Sequence, residues 1–269
     1  MNNETRAPVI EPVTVIGWGL LLMPLLTMWH EIGGHATSCI ALGGHVATIG
    51  AFYVDCTGLS PLRDVVVACA GPMANVALAI LAWSLGHRPA GGPTRIVLWW
   101  IWVSEAFVAS GYVLFSGVSG FGDLGIGEGG SLSGLGLGWW FRLVEIAIGA
   151  ASYALLVVAA IRALNRIIGL GPQTRMARRR LAHLYYLSAG IAAVLVGLLN
   201  PLGLVITLMS AAASSLGGLA GFISIGYATG ETGEARQVAL PRSRAMLAAG
   251  LAVSLAFALI LGPSRHFAP

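Results

Sequence analysis

Residues 13–42 read VTVIGWGLLLMPLLTMWHEIGGHATSCIAL. The run is apolar except for one knot of ionisable groups, His30, Glu31 and His35. It exceeds the roughly 20 residues that a helix needs to cross the hydrocarbon core of a bilayer, so it predicts a first span that tilts or breaks. Ionisable side chains inside such a span are costly, and a functional role is their default reading.

The remainder of the chain repeats the apolar theme. Of its 269 residues, 57% are hydrophobic and 10% are charged, whereas a soluble domain carries about 25% charged residues. Long apolar runs between short polar loops give further spans at about 64–86, 96–117, 138–164, 183–199, 202–228 and 245–262. The sixth is rich in Gly, Ala and Ser, which suits close helix packing. Asn200-Pro201 predicts a tight turn before it. The fold class expected is therefore all-α, a multi-pass transmembrane helical bundle of about six or seven spans. Residues 43–62 carry Val, Ile, Phe and Tyr between glycines and predict a short membrane-associated hairpin after the first span. Residues 1–137 form the expected core, including a re-entrant Gly-rich loop at 116–138, and residues 138–269 supply accessory transmembrane helices. No soluble domain is expected.

The formal net charge of +4 comes from fifteen Arg and no Lys. The cations sit mostly between spans, so they are a topology signal and not a nucleic-acid patch. Arg63, Arg142 and Arg265 fall on one side of a seven-span bundle and the other twelve on the opposite side, which favours a cytoplasmic N-terminus. The partner implied by composition is the lipid bilayer, and the chain reads as an integral multi-pass protein of a prokaryotic plasma membrane. The segment Met1 to Pro12 is polar, so no cleavable signal peptide is expected ahead of the first span. Three cysteines, Cys39, Cys56 and Cys69, are an odd number, and two lie in apolar runs; a disulfide framework is not expected.

Three stretches carry chemistry. In the first, Glu31 follows His30 directly, but His35 is five residues on. On an α-helix, residues five apart are about 140° out of line, so two such imidazoles would not share a metal. A π-turn brings residue i+5 near residue i, and Gly33-Gly34 lower the cost of unusual backbone. A local widening at Ile32-Gly33-Gly34 is therefore expected, with both imidazoles on one metal and Glu31 free to act on water. In the second stretch, Ala70-Gly71-Pro72-Met73-Ala74-Asn75, Pro72 removes a backbone donor, Gly71 and Ala74 admit another helix, and Asn75 needs a partner in the membrane. In the third, Ser119 to Gly125, Asp123 sits in flexible backbone from which it can fold back. A catalytic zinc takes three protein ligands and keeps one open position. Asp123, Glu105 and Glu145 compete as the third ligand after His30 and His35, the two Glu residues lying within apolar spans. His45, Asp55, His87, His183 and His266 read as surface or interfacial residues.

These three motifs, in this order on successive spans, resemble the site-2 protease family of intramembrane zinc metalloproteases (peptidase family M50). Gly71-Pro72-Met73-Ala74-Asn75 fits that family's pattern fully. His30-Glu31 fits with the second His displaced by one, and Asp123 is not followed by Gly. The likeness covers about residues 20–125. It implies zinc held within the membrane by His30, His35 and Asp123, Glu31 as general base, and Asn75 orienting substrate or stabilising the oxyanion. The substrate implied is a transmembrane protein segment, locally unwound, meeting the 43–62 hairpin by strand addition. The resemblance also places the metal toward the cytosolic face, against the Arg distribution. Two other readings stay open. One is an inactive relative that binds a membrane partner, favoured by the displaced His35. The other is a transporter using Glu105, Glu145 and Asp123 as an ion path.

Overall fold

The computed structural model describes residues 7–88, 91–204 and 207–268; Glu4 and Arg6 lie outside the described residues. Among the described residues, seven helices are long and apolar enough to cross a membrane: Pro12–Ala41, Pro61–Gly86, Gly92–Ser119, Trp140–Ile168, Pro172–Gly197, Met209–Tyr227 and Arg244–Leu261. They are called the first to seventh spans. The chain is an all-α multi-pass bundle. Large apolar side chains such as Ile80, Leu155, Leu251, Leu255 and Leu259 face outward. A contiguous apolar exterior of this kind suits lipid and not water.

The bundle is stitched at both ends. At one end, β1 (Val9–Ile10) pairs in parallel with β4 (Ala239–Leu240), and Gly169 bridges Ala235. At the other, the expected hairpin is present: β2 (His45–Ile49) and β3 (Val54–Thr57) pair antiparallel. The far edge of β2 is taken by β5 (Arg265–His266), with Thr48 opposite His266 and Ile49 opposite Arg265. In the order β3-β2-β5, β2 is the inner strand, and the outer edges of the sheet are those of β3 and β5. The tip of the hairpin sinks into the bundle, where Ala51 and Phe52 are buried against Met23, Ala193 and Phe257.

The central third span carries the largest buried side chains. The Trp99 indole donates to the Ala160 carbonyl at 3.1 Å, and the Trp100 indole to the Leu181 carbonyl at 2.9 Å. The Trp100 ring stacks on Tyr185 with centroids 5.2 Å apart. Each aromatic thus fills volume and satisfies its one polar atom at once. The turn expected at Asn200-Pro201 closes with Gly203 N–H donating to the Asn200 carbonyl at 2.9 Å.

Two expectations need correction. The fifth span begins at Pro172 and not near 183, so Arg175, Arg178, Arg179 and Arg180 are on a helix and not in a loop. Arg178 is fully buried and donates to Asn165 Oδ1. His183 belongs to the same span, where its Nε2 lies 3.1 Å from the Ile223 carbonyl. The four arginines interrupt the hydropathy signal without interrupting the helix. The second correction concerns sulfur: Cys39 and Cys56 form a disulfide, with Cα atoms 5.9 Å apart. Cys39 lies in the last turns of the first span, and the hairpin folds back over that helix end, bringing Cys56 to it. Apolar context alone does not reveal such a return. Cys69 remains a free thiol.

Candidate metal centre

The first span is not one regular helix. Residues Pro12–Met28 are α-helical, Trp29–Ala36 are π-helical, and Thr37–Ala41 are α-helical again. The wider π-turn stacks residue i+5 over residue i. His30 and His35 consequently face the same way, and their Nε2 atoms are 3.1 Å apart. The departure from α geometry expected from Gly33-Gly34 is present.

Gly34 matters for a second reason. A Cβ there would lie 2.6 Å from Gly71 Cα and 2.8 Å from the Ala70 carbonyl. The π-segment and the second span therefore meet backbone to backbone at Gly34 and Gly71. The reciprocal face of the second span is built at four-residue intervals, one helical turn each. Val67 offers its carbonyl to His35 Nδ1 at 2.7 Å. Asn75 offers Oδ1 to His30 Nδ1 at 3.1 Å. Gly71, between them, leaves room for the imidazoles: a Cβ at Gly71 would overlap His35 Nε2 and come within 2.6 Å of His30 Nε2.

A backbone carbonyl faces His35 Nδ1 and an amide oxygen faces His30 Nδ1, so a neutral ring at either position carries its proton on Nδ1. With each Nδ1–H directed at an oxygen acceptor, each Nε2 presents a lone pair. Two lone pairs 3.1 Å apart repel unless a cation or proton lies between them. Asp123 completes the arrangement. Its Oδ2 is 3.3 Å from His30 Nε2 and 3.5 Å from His35 Nε2, yet it is buried without a directed hydrogen bond. Three donor atoms about 2.0–2.1 Å from a tetrahedral zinc would stand about 3.3–3.4 Å apart. The observed triangle, 3.1, 3.3 and 3.5 Å on its sides, fits that spacing. Burial raises the proton affinity of the Asp123 carboxyl, but hydrogen bonds and charge from rings protonated at Nε2 outweigh it and lower it below the usual carboxylate range. A metal ion between the same atoms would take the place of those protons.

Asp123 reaches this point through glycine backbone. The third span ends at Gly120, whose φ of +80° is left-handed, and Gly122 at φ +84° turns the chain again. The Gly-rich loop then closes on itself: Gly127 N–H donates to the Gly120 carbonyl at 2.9 Å, and Leu132 N–H to the Gly125 carbonyl at 2.8 Å. Side chains bearing Cβ are strained at positive φ, so Gly at 120 and 122 lets Asp123 be aimed back at the imidazoles.

Glu31 is 4% exposed, and its Oε2 has no hydrogen-bond partner. His30, Glu31 and His35 place one donor atom each within 4.8 Å of one another and could hold a metal ion. Beside them is a cavity of about 60 Å³ lined by His30, Glu31, Asn75, Glu105, Tyr112 and, from the hairpin, Phe52. Glu105 is buried in this wall, with Oε2 unpartnered. It is not among the groups that meet the imidazoles. Glu145 is buried elsewhere, against Gly117, and does not line this cavity. The fifth and sixth spans, expected to be accessory, supply Tyr185, Ala189 and Ser215 to the wall.

Two participants had no sequence motif. The Tyr112 ring stacks on His30, with centroids 4.9 Å apart and planes 10° apart. It lies seven residues after Glu105, on the same helix face, and that spacing is the only signal that could have found it. The Val67 carbonyl is backbone and carries no residue-type signal. Comparison with protein-family models, curated proteins and solved structures finds no match to this chain.

Proposed function

We propose that the chain is an intramembrane zinc metalloendopeptidase that hydrolyses peptide bonds in or near transmembrane segments of membrane proteins. The observation that carries this reading is the triangle of His30 Nε2, His35 Nε2 and Asp123 Oδ2, with Glu31 beside it, its Oε2 buried and unpartnered. The order of the three motifs along the chain, which resembles that of the site-2 proteases, supports it. Zinc held by His30, His35 and Asp123 would supply Lewis-acid polarisation of a peptide carbonyl and make water nucleophilic at neutral pH.

The chain's own groups do the rest. Glu31 accepts the proton of the attacking water and passes it to the departing amide nitrogen, as a positioned general base and then acid. Asn75 fixes His30 through Oδ1, which keeps Nε2 turned to the site. With Oδ1 engaged, its Nδ2 is the donor left for a substrate carbonyl. The burial of the cavity among apolar spans requires a substrate that is itself at membrane depth. Such a substrate must unwind locally, because a helical peptide bond is shielded by its own turn.

The test compares wild type with Glu31→Gln in membranes, reading new fragments of single-span membrane proteins by quantitative mass spectrometry alongside zinc content. Fragments from wild type only, with zinc retained in both, are the expected result. Fragments that persist in Glu31→Gln would remove the base, and a wild-type chain without zinc would remove the reading.

A further inference from the structure

At the end of the bundle opposite the metal centre, the second, third and fourth spans part around a cleft of about 740 Å³. Four guanidinium groups line its mouth. Arg95 lies in the first turn of the third span, Arg162 and Arg166 lie a turn apart late in the fourth, and Arg236 comes from the connection before the seventh. No acidic residue lines the cleft, and none of the four forms an ion pair among the described residues. Arg95 Nε is buried without a partner. The third span also begins here, so its unpaired backbone N–H groups add positive potential.

Below this mouth the walls turn apolar. Arg166 and Leu156 both line the cleft on the fourth span, and the residues separating them are about 15 Å of helix. Trp102, Ala106 and Ala159 continue the apolar wall, and Trp83 stands near the rim. The cleft is thus a cationic head on an apolar groove. Guanidinium forks match phosphate oxygens, and basic pockets between spans are the form taken by phospholipid headgroup sites. An inorganic anion would satisfy the charges and leave the groove empty.

We propose that this cleft binds an anionic phospholipid, its phosphate held by Arg95, Arg162, Arg166 and Arg236 and an acyl chain laid along Trp102 and Ala159. The site is separate from the metal centre and does not depend on peptidase activity.

The full chain is purified in mild detergent, exposed to mixed micelles of phosphatidylglycerol or of phosphatidylcholine, and examined by native mass spectrometry. Wild type is expected to retain phosphatidylglycerol over phosphatidylcholine by about tenfold or more. Arg95→Gln/Arg162→Gln should lose that preference, while Arg242→Gln/Arg244→Gln, exposed cations outside the cleft, should keep it. Ala159→Trp leaves all four charges and fills the groove, and should also lose the lipid. Should the Gln pair fail to fold, Arg95→Lys/Arg162→Lys keeps the charge and should weaken retention through loss of the guanidinium forks. Equal retention of the two lipids, or equal loss in the control pair, would overturn the proposal. So would displacement of phosphatidylglycerol by excess inorganic phosphate together with no effect of Ala159→Trp, which would assign the cleft to a free anion.

Discussion

The Nε2 atoms of His30 and His35 stand 3.1 Å apart although five residues separate them in sequence. A regular α-helix cannot make that contact; the π-segment Trp29–Ala36 can. The extra residue in the turn is what distinguishes this chain from one with His four residues apart. The two registers place imidazoles on one point by different backbones.

Ligand identity follows from the triangle. Wild type should carry about one zinc per chain, and His30→Ala, His35→Ala and Asp123→Asn should each lower that content severely. Glu105→Gln should leave it unchanged, because Glu105 lines the cavity without meeting the imidazoles. Elemental analysis of the purified variants decides between Asp123 and Glu105 directly: zinc retained in Asp123→Asn and lost in Glu105→Gln would reverse the assignment.

Asn75 would act on a bound metal through His30. Asn75→Ala removes the acceptor for His30 Nδ1, freeing the ring to rotate and change tautomer. Loss of such a partner typically lowers metal affinity by about 10–100-fold. Competition against a chromophoric chelator measures it, and an affinity equal to wild type would confine Asn75 to substrate contact.

Gly71 is defined by the space its missing side chain leaves. Gly71→Ala would drive a methyl group into the ligand atoms of both histidines. Zinc content should fall, and the melting temperature should drop by an amount equivalent to about 1–3 kcal/mol of overpacking. The neighbouring Ala74→Gly, which touches neither imidazole in this way, serves as the comparison and should hold its metal.

The disulfide gives a sidedness test. Alkylation before reduction should label one thiol, Cys69, and after reduction all three. Disulfides persist in oxidising compartments, and the end of the bundle holding Cys39–Cys56 is also the Arg-poor end. Both signals predict that end outside the cytoplasm, against the cytosolic placement implied by the site-2 protease resemblance. In a Cys69→Ser background, an impermeant maleimide should label Thr57→Cys in intact cells and spare Arg88→Cys. The reverse pattern would place the metal centre toward the cytosol. Cys39→Ser should lower stability by at most about 3 kcal/mol, because membrane insertion already restricts the loop that the bridge closes.

Much of this was legible in the sequence because a bilayer leaves few options for the backbone. Apolar runs had to be helices, and the glycines between His30 and His35 had to serve a local distortion. Asp123 was legible only by its place after the other motifs. The start of the fifth span was not, because Arg175 to Arg180 erase the hydropathy signal while Asn165, the Tyr227 ring and the Ile10 carbonyl take up Arg178, Arg179 and Arg180. Cys56 was not, because its pairing depends on a hairpin that folds back on the first span. Tyr112 and the Val67 carbonyl were not, because a stacked ring and a backbone acceptor look like ordinary packing until the helices are assembled.

The centre draws its groups from positions 30, 35, 67, 75 and 123, and this sets an order of assembly during synthesis. The first span enters the membrane carrying two imidazoles and a carboxylate before any of their partners exist. The second span brings Val67 and Asn75, which orient both rings, and only after the third has crossed does Asp123 arrive. A chain halted between the second and third spans would hold two aligned histidines and no carboxylate to join them. A metal that needs all three donor groups could then be held only by molecules whose first three spans have inserted in the correct register.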